Sequence, residues 1–296
     1  MPTLKWTTYV ALFATFALLP QALSAKDGEG SSASTAEAAK ELMNPNTSLA
    51  SLTFRNQYRW YDGDLPGADK QDNFTFLFQP VFPLVLGQTA EGAQRKLFIR
   101  PAIPIQVDQP YPEAKAGGLE WDDASGLGDI GYDVAYGLSW PNGNQFAAGV
   151  VGSLPTATGD VPGGNTTLGP EIFVGHAGSF GFVGGLLTHQ WDIDSWSDSD
   201  VSKTTLQTFI TFGLPNGWAV GTIPIMSYDW KNDEATVPLN AYIQKTLKIG
   251  NTPTRIQLEV NYYPDSWRPD AFGPEWFIGL NITPVVKNPF QRLVDR

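Results

Sequence analysis

Two histidines are the only imidazole groups in the 296-residue sequence, and they restrict the chemistry it can support. A serine or threonine nucleophile needs a histidine base beside it and a third group that orients this base. His176 falls at a predicted short turn, His189 falls near the end of a predicted strand, and no G-x-S-x-G motif is present. We expect both histidines to be structural and the protein not to be an enzyme. The alternative is a lipid-modifying enzyme that uses His189 with a serine or threonine.

Metal and cofactor sites have few candidate residues. The sequence contains no cysteine, which removes thiolate ligands, disulfides and iron–sulfur clusters. One acidic stretch could bind Ca²⁺, but it lacks the glycine and the final glutamate of an EF-hand; it contains Asp192, Asp194, Asp198 and Asp200. The glycines of "GGNTTLGPE" are not accompanied by the lysine and helix of a phosphate-binding loop. We therefore expect no cofactor and no bound metal.

Nine charged residues have a different significance, because they lie within segments that otherwise alternate apolar and polar side chains. The segment "TRIQLEVNYYP", residues 254–264, is an example, since a strand directs alternate side chains to opposite faces. Its apolar face could meet a protein core or lipid, and its charged face could meet bulk water or a lumen. The nine residues are predicted to line a lumen, where they either brace a narrow barrel or select solutes: Arg55, Arg59, Arg100, Asp129, Asp133, Glu171, Asp229, Arg255 and Glu259.

About twelve segments show strand composition, and the lengths of the connections between them indicate the architecture. The segments are 48–61, 72–86, 96–108, 127–140, 145–156, 166–176, 180–191, 203–213, 218–230, 236–248, 254–264 and 274–286. Tight connections such as "PNGN" and "LPNG" alternate with longer polar ones such as "QPYPEAKAGGLEWDDASG" and "PDSWRPDAFG". An even strand number with this alternation is typical of a transmembrane antiparallel up-and-down β-barrel. A soluble secreted β-sandwich that binds carbohydrate is the second alternative.

Aromatic residues are concentrated at the ends of the predicted strands. Those near the long connections are Tyr58, Trp60, Trp191, Tyr228, Trp230, Tyr262 and Trp276; those near the short turns are Trp140, Trp218 and Phe180. Aromatic rings with a polar group favour membrane interfaces, so the pattern predicts two aromatic girdles. Small and polar residues on the inner face predict a narrow, hydrated lumen.

The N-terminus predicts export. Lys5, the apolar run 9–19 and "LSA" at residues 23–25 have the order of a Sec signal peptide, and the run is too short to span a bilayer. We divide the chain into a signal peptide (1–25), a polar segment with a short periplasmic helix (26–46), a barrel (47–287) and a C-terminal tail (288–296). The helix is expected to begin at Ser34 or Thr35, to run through Met43 and to cap or plug the periplasmic mouth.

The net charge of −11 argues against nucleic acid as a partner, because proteins that bind nucleic acid concentrate lysine and arginine. We expect a monomer in the outer membrane of a Gram-negative bacterium, in contact with lipid and lipopolysaccharide. The expected function is passive uptake or efflux of a small-molecule solute. A barrel of twelve strands lies between side-chain-filled barrels and open porins, so conductance should be small or gated by the helix.

Seven strings of the sequence carry a family resemblance. They are "LMNPNTSLASLTFRNQY", "FLFQPVFPLVL", "SGLGDIGYDVAYGLSWP", "VVGSLPTATGD", "LGPEIFVGH", "YDWKNDEATVPLNAYIQKTLKIGNTP" and "FGPEWFIGLNITPV". In this order, over residues 42–286, they resemble the outer-membrane family labelled "MetA-pathway of phenol degradation", also labelled "neuromedin U". The resemblance implies an outer-membrane β-barrel, a porin-like transport role and aromatic or hydrophobic solutes. It implies no catalytic motif.

Overall fold

The structure is a computed structural model that describes residues 35–195 and 200–295. The predicted signal peptide and Asp198 lie outside these residues. Within these residues one α-helix, α1 (Thr35–Glu41), precedes the strands, so the helix ends earlier than Met43. Across the described part of the chain, every helix is too short or too polar to cross a membrane.

Sixteen strand segments form one antiparallel sheet. They are β1 (Ser51–Asp62), β2 (Asp72–Val81), β3 (Leu84–Gln88), β4 (Gln94–Lys115), β5 (Gly118–Leu127), β6 (Ile130–Ser139), β7 (Asn144–Leu154), β8 (Asn165–Gly178), β9 (Gly181–Ser195), β10 (Ser202–Gly213), β11 (Trp218–Thr222), β12 (Ile225–Asp229), β13 (Glu234–Thr236), β14 (Leu239–Ile249), β15 (Thr252–Tyr262) and β16 (Gly273–Pro284). Single 3-10 turns occupy Ala68–Lys70, Pro215–Gly217, Asp265–Trp267 and Gln291–Leu293.

The sheet closes on itself because β1 pairs with β2 on one side and with β16 on the other. Four pairs of segments, β2–β3, β5–β6, β11–β12 and β13–β14, are interrupted single strands, so the barrel has twelve strands. Prolines explain three of the interruptions, since Pro83, Pro224 and Pro238 cannot donate to a ladder. The predicted fold class is confirmed, and the β-sandwich is excluded.

Connection lengths divide the barrel into two ends. One end, which we call the short-turn end, contains the turns 89–93, 140–143, 179–180, 214–217 and 250–251. The other end, the long-loop end, contains the connections 63–71, 155–164, 230–233 and 263–272. The prediction was wrong for the second long connection, because β4 and β5 continue to Lys115 and Gly118 as a paired hairpin. Tyr111 opposite Asp122 and Glu113 opposite Glu120 belong to this extension, which continues the strand alternation past the predicted boundary at residue 108.

Alternation separates an apolar outer face from a polar inner face. Leu258 points outward and is 47% exposed, whereas its neighbour Glu259 points inward and is 4% exposed. Val174, Ile172 and Ile99 are also exposed apolar side chains on the outer face. The opposite assignment would put Arg255 and Glu259 in lipid, where a charge near the bilayer centre costs about 2–4 kcal/mol. The predicted faces of segment 254–264 are therefore those observed.

Aromatic pairs surround the barrel close to the long-loop end. Ring centroids lie 4.6 Å apart for Tyr58 and Trp60, and 4.7 Å apart for Tyr262 and Trp276. At the short-turn end, Trp218 and Phe180 are exposed on the outside. These positions are those expected of rings at two membrane–water interfaces.

The C-terminal tail folds back onto the short-turn end. Asn288 Nδ2 donates to the Pro83 carbonyl, and Gln291 exchanges two hydrogen bonds with the main chain of Val85. The Phe290 ring packs on Phe82 at 5.2 Å. The tail therefore satisfies main-chain groups of β3 and of the residue before it, next to the interruption between β2 and β3.

Candidate solute chamber

A cavity of about 250 Å³ lies inside the barrel, and the residues that follow α1 form its short-turn side. We call this cavity the chamber, and we call α1 together with residues 42–47 the plug. Every residue from Leu42 to Thr47 lines the chamber. The predicted helix therefore lies inside the barrel mouth, in a position that narrows the lumen.

Charged side chains of the barrel wall hold the plug by its main chain. Arg255 Nη1 donates to the Leu42 carbonyl at 2.6 Å, and Lys96 Nζ donates to the Asn46 carbonyl. Asn46 Nδ2 donates to the Leu138 carbonyl at 3.2 Å. Hydrogen bonds from charged donors are stronger than neutral ones, and Lys96 is only 2% exposed. The plug is thus fixed to the adjacent strands β4 and β6 and to β15, which β16, β1 and β2 separate from them around the barrel.

Sequence reasoning missed Lys96 and the aromatic residues beside it. Phe98 is 1% exposed and packs in one cluster with Phe173 and Phe182, whose rings stack at 6.1 Å. Phe209 meets Phe173 edge-on, also at 6.1 Å. The prediction that small and polar side chains line the lumen is therefore wrong for the side of the chamber formed by Phe98 and its neighbours, which is apolar. Lys96, Phe98 and Arg100 share one strand parity, and this signal could have revealed them.

A glycine on β6 leaves room for the aromatic rings on one side of the chamber. Gly137 faces the lumen on β6, and a Cβ atom there would lie 2.7 Å from Phe98 Cε2 and 2.7 Å from Asn46 Oδ1. Real Cβ atoms do not approach other atoms this closely, so a larger residue would displace either the ring or the plug. The small residues on the inner face of β6 therefore provide space for Phe98 rather than for water.

The other part of the chamber is charged. Arg100 Nε donates to both carboxylate oxygens of Asp133, at 2.7 and 2.9 Å. Arg100 Nη2 lies 4.0 Å from Glu171 Oε1, an atom without a hydrogen-bond partner among the described residues. Arg55 Nη2 lies 3.6 Å from Glu259 Oε2. Because these charges are largely withdrawn from water, pairing compensates their desolvation and fixes their positions.

The structure places the nine predicted residues in three groups. Those that line the chamber are Arg55, Arg100, Asp133, Glu171 and Arg255. Two others, Glu259 and Arg59, form the second group. Glu259 is paired with Arg55 and accepts a hydrogen bond from Asn240 Nδ2, and Arg59 lies 5.0 Å from the centre of the Phe277 ring. Asp129 and Asp229 lie apart from the chamber and correct the prediction of a common lining.

Those two aspartates accept hydrogen bonds from main-chain amides at the long-loop end. Asp129 accepts from the amides of Ala157, Gly164 and Asn165. Asp229 accepts from the Lys231 amide at 2.9 Å. Both side chains therefore stabilise connections between strands, a role that parity alone does not distinguish from lining a lumen.

Three connections meet at the long-loop end through aromatic rings. Phe272 stacks on Tyr61 at 4.5 Å and meets the Trp121 ring at a tilt, with the ring centroids 4.7 Å apart. Trp121 Nε1 donates to the Pro66 carbonyl at 2.8 Å. The β4–β5 hairpin is thereby joined to the first and the last long connection.

The histidines lie away from the chamber. His189 Nδ1 is hydrogen-bonded to Thr204 Oγ1 at 2.7 Å, and Trp230 Nε1 donates to the same hydroxyl at 2.8 Å. Trp191 packs on the His189 ring at 4.3 Å, so this group belongs to the outer aromatic belt. His189 Nε2 is buried without a hydrogen-bond partner in the described part of the chain. At the short-turn end, His176 is hydrogen-bonded to Asn144 at 2.8 Å.

The acidic stretch shows main-chain and ion-pair contacts. Asp192 Oδ1 accepts from the Val201 amide at 2.7 Å, and Lys231 Nζ pairs with Asp200 at 2.9 Å. The hydrogen bond to Asp200 raises the pKa of the exposed Lys231 ammonium. Within residues 35–195 and 200–295, no three His, Asp or Glu side chains are grouped so that they could hold a metal ion.

A closed twelve-stranded barrel with an apolar exterior and a narrowed, partly charged lumen defines a protein with the outer-membrane β-barrel fold. It is similar to the solved COG4313 outer membrane channel from Pseudomonas putida F1, with a TM-score of 0.54 and 13% identity, over 82% of this chain and 99% of that one. Outer membrane phospholipase A from Escherichia coli matches with a TM-score of 0.44 and 9% identity, over 79% of this chain and 92% of that one. The sequence matches no protein-family model and no curated protein, so the MetA-pathway resemblance stays a prediction.

Proposed function

We propose that this protein is an outer-membrane channel through which small solutes diffuse passively. The observation that carries the proposal is the chamber: a hydrogen-bonded barrel encloses a cavity of about 250 Å³, and lipid-compatible side chains surround it outside. A barrel is one of the two structures that satisfy all main-chain groups within a bilayer. The likeness to a solved outer membrane channel agrees with this proposal.

The chamber suggests the class of solute. Phe98, Phe173 and Phe209 form an apolar side, and the Arg100–Asp133 pair and Glu171 supply polar atoms next to it, with the Arg100 guanidinium 5.5 Å from the centre of the Phe98 ring. Binding sites for small organic molecules combine mostly apolar walls with a few fixed polar groups. We therefore propose small aromatic or hydrophobic solutes, in agreement with the MetA-pathway resemblance.

Several further properties belong to the same proposal. The protein is a monomer of a Gram-negative outer membrane, exported through its Sec signal peptide, and it contacts lipid and lipopolysaccharide through its outer face. The short turns face the periplasm and the long connections face outside, as in other barrels of this type. The plug then lies on the periplasmic side.

Reconstitution tests this function. Purified protein that migrates faster unboiled than boiled, which shows a folded barrel, is inserted into planar bilayers and liposomes. We expect small single-channel conductance and swelling of liposomes in small aromatic solutes. Folded protein that shows neither conductance nor flux would overturn the proposal.

A second function rests on one observation, the hydrogen bond between Thr204 Oγ1 and His189 Nδ1 on the outer face. A hydroxyl beside an imidazole is the first requirement of a nucleophilic lipid-modifying enzyme. Such a function predicts that His189→Ala changes the lipid composition of cells that express the protein. An unchanged lipid profile would remove this candidate.

A further inference from the structure

A second cavity, of about 350 Å³, lies on the other side of the plug. It lies between α1 and two short turns, 179–180 and 214–217, and we call it the helix groove. Ala36, Ala39 and Gly217 leave space along it, because none of them has a side chain beyond Cβ. Lys40, Ser179 and Asn216 are exposed at its edge. The helix groove therefore opens to solvent at the short-turn end.

The chamber and the helix groove have two lining residues in common, Met43 and Gln244. Met43 is the second residue after α1, and Gln244 lies on β14 and is 3% exposed. Met43 and Gln244 therefore form part of the wall between the chamber and the helix groove, since each of them borders both cavities. A solute that leaves the chamber toward the short-turn end and enters the helix groove has to pass these two side chains.

Met43 is the more movable of the two. Gln244 belongs to a continuous ladder, in register with Ala219 of β11 and Gln257 of β15. The Met43 side chain is half-buried and packs against the aromatic cluster of the lumen. Methionine is unbranched and flexible, so it changes rotamer and adapts to neighbouring groups readily.

The main chain around Met43 stays in place when this side chain moves. The carbonyl of the preceding residue, Leu42, accepts a hydrogen bond from Arg255 at 2.6 Å, and the Met43 amide donates to the Lys40 carbonyl at 3.3 Å. A path between the two cavities can therefore open by rotation about side-chain bonds, without removal of the plug from the barrel. This requires much less rearrangement than breaking the Arg255 and Lys96 hydrogen bonds together.

We propose that Met43 is the gate and the specificity-determining residue between the chamber and the helix groove, and that solutes leave the barrel by this route. The inference rests on the proposed channel function and adds to it the exit path and the side chain that limits it. A polarisable thioether beside aromatic rings favours apolar and aromatic solutes over strongly hydrated ones of the same size.

Two substitutions test the gate. Met43→Ala shortens the side chain, and we expect liposome flux of a small aromatic solute to rise about twofold or more, because narrow-pore permeation depends on pore radius. Met226→Ala is the matched control, since Met226 lies opposite the outward-facing Leu206 and lines neither cavity. Unboiled gel migration verifies that each variant is folded.

The absence of cysteine from the natural sequence allows a second test. Met43→Cys is treated with a water-soluble methanethiosulfonate, which attaches a bulky group at this position only. We expect single-channel conductance to fall by half or more after reaction and to recover after reduction. Asn142→Cys, on an exposed short turn outside both cavities, should react without a change in conductance.

The outcomes distinguish the gate from the channel. Wild-type flux that is unchanged in Met43→Ala and in modified Met43→Cys would overturn the gate and leave the channel function in place. If neither the wild-type protein nor Met43→Ala shows any flux, the channel function is overturned, and the gate with it. Flux that appears only in Met43→Ala supports a channel that Met43 holds closed.

Discussion

Lys96→Met tests whether the wall of the barrel holds the plug closed. Lys96 Nζ donates to the Asn46 carbonyl, and both residues are buried, at 2% and 3% exposure. Methionine keeps the length of the side chain but cannot donate. A buried acceptor that loses its partner costs about 1–3 kcal/mol. The cost applies only while the plug is in place, because a released plug exposes the carbonyl to water.

The expected shift follows from this difference. A change of about 1–3 kcal/mol corresponds to about a 5- to 150-fold change in the equilibrium between closed and released plug. Single-channel recording measures it as the fraction of time in the higher-conductance state. Lys245→Met is the matched control, since Lys245 Nζ also donates to a main-chain carbonyl, that of Asn216, but contacts no plug residue through this bond.

Either of two results would refute the reasoning. If Lys96→Met and Lys245→Met both keep the wild-type open fraction, the hydrogen bond to Asn46 does not hold the plug. If both raise the open fraction equally, the effect comes from loss of a lysine charge in general. Only a rise confined to Lys96→Met supports the anchor that the structure shows.

Three further predictions concern other parts of the barrel. Gly137→Ala brings a Cβ atom to 2.7 Å from the Phe98 ring, so the free energy of unfolding measured by urea titration should fall by about 1–3 kcal/mol. Gly185→Ala is the control, because a Cβ atom there has no neighbour closer than 3.9 Å, and its free energy of unfolding should stay near that of the wild type. Arg100→Gln leaves two carboxylates of the chamber, those of Asp133 and Glu171, without their cation. The reversal potential in a salt gradient should therefore shift toward cation selectivity, and an unchanged potential would count against Arg100 as a selectivity residue. Trp121→Ala removes the hydrogen bond and the ring contact that join three connections at the long-loop end. Limited proteolysis followed by mass spectrometry should show about 2- to 10-fold faster cleavage in these connections, which corresponds to the loss of one hydrogen bond of about 0.5–1.5 kcal/mol. Cleavage at the wild-type rate would contradict this role of Trp121.

Much of the fold could be predicted because the information is local. Alternation puts Glu259 and Leu258 on opposite faces, the alternating loop lengths assign Glu259 to the lumen, and turn residues such as those of "PNGN" mark strand ends. The β4–β5 hairpin was missed because its extension is acidic and contains prolines and glycines, features that also predict a loop. Its pairing, from Gln109 with Ala124 to Lys115 with Gly118, depends on the partner strand.

The candidate site could be predicted only in part. Arg55 and Arg100 were recognised because a charge within an alternating segment is costly in lipid. Asp129 and Asp229 satisfy the same criterion, yet they accept from loop amides, since parity defines the face of a residue and not its height along the barrel. Lys96 was overlooked although it has the same parity as Arg100, and its partner Asn46 lies 50 positions away in the sequence.

The sequence by itself predicted the barrel class, about twelve strands and the alternating faces of segments such as 254–264, because these depend on the two-residue period and on turn chemistry. The tertiary structure decided which inward residues surround one chamber, where the plug lies and which side chain separates the two cavities. The physical reason is that closure brings β1 beside β16 and fixes the relative height of all strands through long-range pairing. Met43 shows the difference clearly: in the sequence it is the end of a predicted helix, and in the folded barrel it lies between two cavities.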